Sequence, residues 1–127
     1  MRGKQFVIFG LGRFGISLAT TLSEAGYEVM VVDKCEESIQ EIAPFVTHAV
    51  QADAADMDTL KSLGIRNFDV AIVAIGKDIQ SSIMTTLLLK ELGIPYVVAK
   101  ASSEIHERVL RKIGADRIIL PEQEMGI

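Results

Sequence analysis

A short apolar run, Phe6-Val7-Ile8-Phe9, breaks at Gly10-Leu11-Gly12-Arg13-Phe14-Gly15 and gives way to a segment of helical periodicity. Few folds place three glycines at this spacing between a strand and a helix. Gly10 permits a tight turn, Gly12 lets the backbone approach a pyrophosphate, and Gly15 lets the helix pack closely on the sheet. The helix then offers free N–H groups and its positive dipole end to phosphates. Asp33 ends the next apolar run, about twenty residues on, where it can accept hydrogen bonds from ribose hydroxyls. A bare glycine triplet is weak evidence, but this context predicts a nucleotide-binding βαβ unit.

The same alternation continues along the chain. Apolar runs at Phe6–Phe9, Val29–Val32, His48–Gln51, Val70–Ile75, Tyr96–Ala99 and Arg117–Leu120 read as six strands. Helical patterns separate them. The first runs from Phe14 to Ala25, with Ile16, Ala19, Leu22 and Ala25 on one face. Others follow from Cys35 to Ile42, Asp56 to Leu63, and Asp78 to Leu92 through Met84, Leu87 and Leu88. The last begins after a Ser102 or Ser103 cap and carries Ile105, Val109, Leu110 and Ile113. Gly26, Gly64, Gly93 and Gly114 fall just past helix ends and Pro44 closes the second helix. Pro121-Glu122 opens a further segment. The pattern predicts an α/β, Rossmann-like, doubly wound parallel sheet of six strands in the order 3-2-1-4-5-6.

Composition narrows the class. At 127 residues the chain fits one domain, and 49% hydrophobic content with only 6% aromatic residues and no Trp implies an aliphatic core. A net charge of −4 argues against nucleic acid, whose binding surfaces bring a basic excess. No stretch reaches the roughly 18 apolar residues of a membrane span, and the start shows no signal-peptide pattern. The lone Cys35 excludes an internal disulfide. The expectation is a reduced, cytoplasmic, single-domain chain.

In a sheet of this order ligands lie beyond the C-terminal strand edge, between strands one and four. Asp33 there repels a 2′-phosphate, favouring NAD(H) or an unmodified adenine nucleotide over NADP. Arg13 either lies across the phosphates or is simply solvated. Asp53 and Ala54 follow strand three and can frame an adenine; Ala74-Ile75-Gly76-Lys77 follow strand four and set backbone and apolar surface against the adenosine. Lys100 ends strand five, as a phosphate ligand or an ordinary strand-end lysine. Glu122 follows strand six. His106 touches the ligand or is a half-exposed helix residue, and His48 is structural. Nothing near Cys35 marks a redox or nucleophilic role, and the methionines read as core filler. No second catalytic constellation is evident, and the absence of GxxxxGK[ST] excludes a P-loop, so the site reads as one for binding rather than turnover.

Several stretches together resemble the KTN/RCK (TrkA-N) domains. They are Phe9 to Gly15, Leu63-Gly64-Ile65-Arg66-Asn67-Phe68-Asp69, Val73 to Gly76, and Lys112-Ile113-Gly114-Ala115-Asp116-Arg117 followed by Pro121-Glu122. These domains form cytosolic regulatory subunits of bacterial potassium uptake systems of the Ktr and Trk kind, and the chain is most like the KtrA/KtrC type. The resemblance spans essentially residues 1–127 and implies a gating subunit, not an enzyme. It implies ATP, ADP, NAD or NADH in the crevice and a dimer assembling into a ring, commonly octameric. The ring would sit beneath a membrane-embedded potassium channel or transporter. It assigns phosphates to Arg13 and ribose to Asp33, and lines the site with the glycine motif (Phe14 included), Lys34, Cys35, Asp53, Ala54, Ile75, Gly76, Lys77, Lys100, Ala101, Ser102 and His106. It places Glu122 near the terminal phosphate, where a cation can bind with ATP. Related chains often carry Asn at the position of Asp53. Family members continue into a smaller C-terminal lobe, so this chain reads as an N-terminal portion. The alternative reading is the cofactor half of an NAD-dependent oxidoreductase. A redox-sensing transcriptional regulator is a third, opposed by the acidic charge.

Overall fold

Val, Ile and Phe crowd Gln5–Phe9 (β1), Glu28–Asp33 (β2) and Val70–Val73 (β4), and such stiff apolar runs are stable as strands covered on both faces. The computed structural model, which describes residues 3–120, makes them the centre of a six-stranded parallel sheet. The order is β3-β2-β1-β4-β5-β6, with His48–Gln51 (β3), Tyr96–Lys100 (β5) and Arg117–Ile119 (β6) completing it. Phe9 lies in register with Val32 on one side and Val73 on the other, so β1 and β4 end level and β2 runs one residue further, to Asp33.

The period of two along β1 divides the core. Val7 and Phe9 face a layer built from Leu60, Leu88, Leu89 and Leu110. These come from helices α3 (Met57–Ser62), α4 (Ile79–Glu91) and α5 (Glu104–Lys112). Ile8 faces the opposite layer with Ala19 of α1 (Arg13–Glu24) and Ile39 and Ile42 of α2 (Glu36–Ile42). Side chains on both faces of the strands are excluded from water, each contributing about 1.5–3 kcal/mol.

Strand starts leave backbone amides that a neighbouring loop must satisfy. Asp69 accepts from Gln5 N at 2.7 Å, Thr47 from Val29 N at 3.0 Å, and Asp116 from Val97 N at 2.8 Å. Each acceptor comes from a residue just ahead of another strand, which ties the strand starts together. Helix starts follow the same logic, with Asp56, Asp78 and Ser103 capping α3, α4 and α5 through Thr59, Ser81 and His106 amides.

Several expected boundaries shift for physical reasons. β4 ends at Val73 rather than Ile75: Ala74 N still donates to Phe9 O at 2.7 Å, after which the chain leaves the sheet. β5 includes Lys100, which pairs with Ile119. Two 3-10 turns, Ala43–Phe45 and Ile65–Asn67, were not foreseen. Ile105 does not join the buried face of α5; it is 72% exposed, and His106 and Leu110 are buried instead. α4 mixes hydroxyls into its buried face. Ser82, Thr85 and Thr86 point inward beside Leu88 and Leu89, while Ile79 and Met84 face solvent. Thr86 Oγ1 donates back to Ser82 O at 2.9 Å, whereas Thr85 Oγ1 is buried without a partner among the described residues.

Asp116 also pairs with Lys90 Nζ at 2.9 Å, joining the end of α4 to the start of β6. Burial pushes this carboxyl up, but the Val97 amide and Lys90 outweigh it and hold it below the usual range. Its stabilisation is therefore present above the ordinary carboxylate pKa and is lost as pH falls through the lowered value. Asp116→Asn is expected to cost about 1 kcal/mol at neutral pH in urea unfolding. It should also flatten the acid limb of the stability profile.

Candidate functional site

The glycine turn is set by close packing. Gly10 has φ +101°, and a Cβ there would meet Ala74 C and O at 2.9 Å. A Cβ on Gly15 would overlap the Gly10 carbonyl oxygen. Both positions therefore bind the start of α1 to the ends of β1 and β4. Gly12 differs, because a Cβ there meets nothing within 4 Å. Its face opens into a cleft of about 590 Å³ at the C-terminal edge of the sheet.

Asp33, at the end of β2, fastens the turn from the other side. Its Oδ2 accepts from Leu11 N at 2.6 Å and its Oδ1 from Cys35 N at 2.8 Å. The carboxylate thus shapes the loop as well as facing the cleft, a role that spacing alone did not reveal. Gly10 N donates to Val32 O at 3.0 Å, so the turn is anchored to β2 twice.

The start of α1 is left chemically open. It has no side-chain cap and no acid in its first turn. α3, α4 and α5 are capped by side chains, and α2 carries Glu36 and Glu37 in its first turn. An uncapped helix start with its amides directed at a cleft favours an anion. Arg13, Lys77 and Lys100 border the same cleft and add positive charge.

Most of the residues anticipated at the site do line the cleft. Gly10, Gly12, Arg13 and Phe14 contribute from the turn, and Asp33, Lys34 and Cys35 from β2 and the loop after it. Asp53 and Ala54 come from beyond β3, Ala74, Ile75, Gly76 and Lys77 from beyond β4, and Lys100 from β5. Gly15 is instead buried beneath the turn. Ala101 is fully buried, and Ser102 and His106 stand outside the lining. His106 is not the half-exposed helix residue of the alternative reading: it is 1% exposed, packed behind the cleft wall. Glu122 lies outside the described residues.

Leu11, Ala52, Asp78 and Ser81 also line the cleft and were not foreseen there. Asp78 and Ser81 could have been, since the first turn of the helix after strand four faces the same edge. The three acids bordering the cleft are all engaged by backbone amides: Asp33 as above, Asp53 by Ala55 N at 2.9 Å, and Asp78 by Ser81 N at 3.0 Å. Cys35 is exposed, and hydrogen bonds from the Ser38 side chain and backbone hold its thiol below the usual range.

The family model of the TrkA-N domain matches residues 6–121. The chain belongs to the TrkA-N domain family. The Ktr system potassium uptake protein C of Bacillus subtilis (strain 168) is 53% identical over 123 residues, covering 97% of this chain and 56% of that protein. Protein A of the same system and strain is 54% identical over 127 residues, covering 100% of this chain and 57% of the relative. This TrkA-N chain therefore spans little more than half the length of these relatives. Among solved structures, the GsuK channel bound to NAD superposes with a TM-score of 0.80 at 18% identity, over 94% of this chain and 21% of that one. That likeness is one of fold.

The glycines separate structure from binding. Gly15→Ala is expected to destabilise the domain by about 3 kcal/mol in urea unfolding, since backbone must move. Gly12→Ala should leave stability within about 0.5 kcal/mol but place a methyl group where a pyrophosphate approaches, lowering nucleotide affinity at least about tenfold.

Proposed function

We propose that this chain is the nucleotide-sensing domain of a regulatory subunit in a bacterial potassium uptake system. ATP, ADP, NAD or NADH binds in the cleft and alters the geometry of a ring of such domains, an octamer built from dimers. The ring lies in the cytoplasm against a membrane-embedded potassium channel or transporter. The observation that carries the reading is the uncapped, acid-free start of α1 facing a cleft bordered by Arg13, Lys77, Lys100 and Asp33. The relatives named for potassium uptake, and the fold shared with a channel bound to NAD, support it. Among the described residues no helix is long and apolar enough to cross a membrane, which fits a domain acting through a partner.

The output is movement rather than turnover. Asp33, Asp53 and Asp78 are each held by backbone amides, an arrangement suited to shaping loops rather than to moving protons. A nucleotide shifts a two-state ring only by binding one state more tightly. ATP and ADP differ by one phosphate, and Arg13 and Lys100 are the groups placed to register that charge. Binding of a cation with ATP, assisted by Glu122, belongs to the same proposal. The apolar side chains that face water, Ile79 and Met84 on α4 and Ile105 on the adjoining α5, are the contacts through which the change is transmitted.

Competitive calorimetry with ATP, ADP, NAD and NADH tests the reading. Arg13→Ala is expected to weaken ATP about tenfold and to narrow the difference between ATP and ADP. An unchanged difference would sink the sensing role of Arg13. Oxidation of NADH by the chain with carbonyl substrates would instead favour the oxidoreductase reading. Ile105→Glu should shift the sedimentation profile to smaller species while nucleotide affinity changes by less than about twofold.

A further inference from the structure

Two walls of the cleft are joined from behind by one imidazole. Ser81, in the first turn of α4, and Lys100, at the end of β5, both line the cleft. Ser82, next to Ser81, and Ser102, two residues past Lys100, both bind His106: Ser82 Oγ lies 3.0 Å from Nε2, and Ser102 N donates to Nδ1 at 2.9 Å. Ser102 Oγ is also 3.1 Å from Nδ1, and Ser103 Oγ caps the His106 amide at 3.1 Å. Because a backbone amide can only donate, Nδ1 must carry a lone pair. The ring is therefore neutral, with its proton on Nε2 and directed at Ser82 Oγ.

We propose that His106 is a positioning residue that straps the β5–α5 connection to α4, holding Lys100 in place for the nucleotide's phosphates, and that protonation of its Nδ1 releases the strap. The inference rests on the nucleotide-binding reading of the cleft. A proton on Nδ1 would face the Ser102 N–H, donor against donor, and the connection would have to move. Burial pushes the ring's pKa below the ordinary histidine value. The charged groups on the packed elements are otherwise engaged or outward. On α4, Asp78 caps Ser81 N and Lys90 pairs with Asp116; on α5, Glu107 pairs with Arg111, and Glu104 is exposed. Lys77 and Lys100 line the cleft, and none of these groups hydrogen-bonds the ring. The strap is therefore complete at neutral and alkaline pH and fails as pH falls through the lowered value.

The test uses the 127-residue chain as wild type, His106→Gln and His106→Leu, with NAD as ligand because its pyrophosphate keeps its charge through the interval. By calorimetry, wild-type affinity is expected to fall about tenfold from pH ~8 to pH ~5. His106→Gln keeps an acceptor and a donor but cannot titrate, and should vary less than about twofold. His106→Leu should bind about tenfold more weakly at pH ~8, with little further pH dependence. Wild-type-like affinity in the Leu variant, a wild-type pH slope in the Gln variant, or binding that strengthens in acid would overturn the proposal. Amide hydrogen exchange on the ligand-free wild type decides the matter even if the Leu variant does not fold. Protection of Ala101 and Ser102 should fall in acid while that of Leu89 and Val97 holds; uniform behaviour of all four would overturn it. If the wild type binds no nucleotide at pH ~8, the proposed function fails, and the exchange data still judge the strap separately.

Discussion

Everything at the ligand edge depends on how closely α1 approaches the sheet. The Gly10 backbone lies against Ala74 at a distance no Cβ would tolerate, and Gly15 lies against the Gly10 carbonyl. That contact brings the start of α1 to the gap between β1 and β4, where adjoining strands run off to opposite sides. Had either glycine carried a side chain, the helix would stand off and its amides would miss the crevice. Asp33 completes the geometry by taking the Leu11 and Cys35 amides. One carboxylate therefore holds the loop that it shares a cleft with, and a change there alters shape before it alters affinity.

The two helical layers are built on different terms. The α1–α2 side buries Ala19, Ile39 and Ile42 in the ordinary manner. On the other side α4 directs hydroxyls inward and leaves Ile79 and Met84 outside. Two of the three inward hydroxyls are satisfied, as Thr86 bonds the helix's own carbonyl and Ser82 meets His106, while Thr85 Oγ1 has no partner among the described residues. The result is a helix that leaves two apolar side chains, Ile79 and Met84, partly in water, with exposed Ile105 on α5. His106 joins two segments of this layer, accepting from Ser102 N after β5 and meeting Ser82 Oγ of α4.

The alternation of apolar runs with helical periods was enough for the strand count, the parallel order and the position of the crevice, because those follow from local pattern and the handedness of crossovers. Glycine spacing and Asp33 marked the turn. The reading was weaker where side chains had alternatives. Ile105 fits the apolar period of α5 as well as any residue, yet the helix is rotated so that His106 and Leu110 face inward. Ala101 and Ser102 follow directly on Lys100, but the chain turns away from the cleft there, and no sequence rule indicates that bend.

What the sequence determined by itself is a doubly wound domain with an anion-ready turn, since three glycines between strand and helix leave little else for the backbone to do. Only the tertiary structure decided the burial and tautomer of His106, the double duty of Asp33 and the hydroxyls on the buried face of α4. Each depends on which groups from distant segments arrive within hydrogen-bonding distance. Periodicity sets which way a residue points along its own element; it does not set which neighbour waits there.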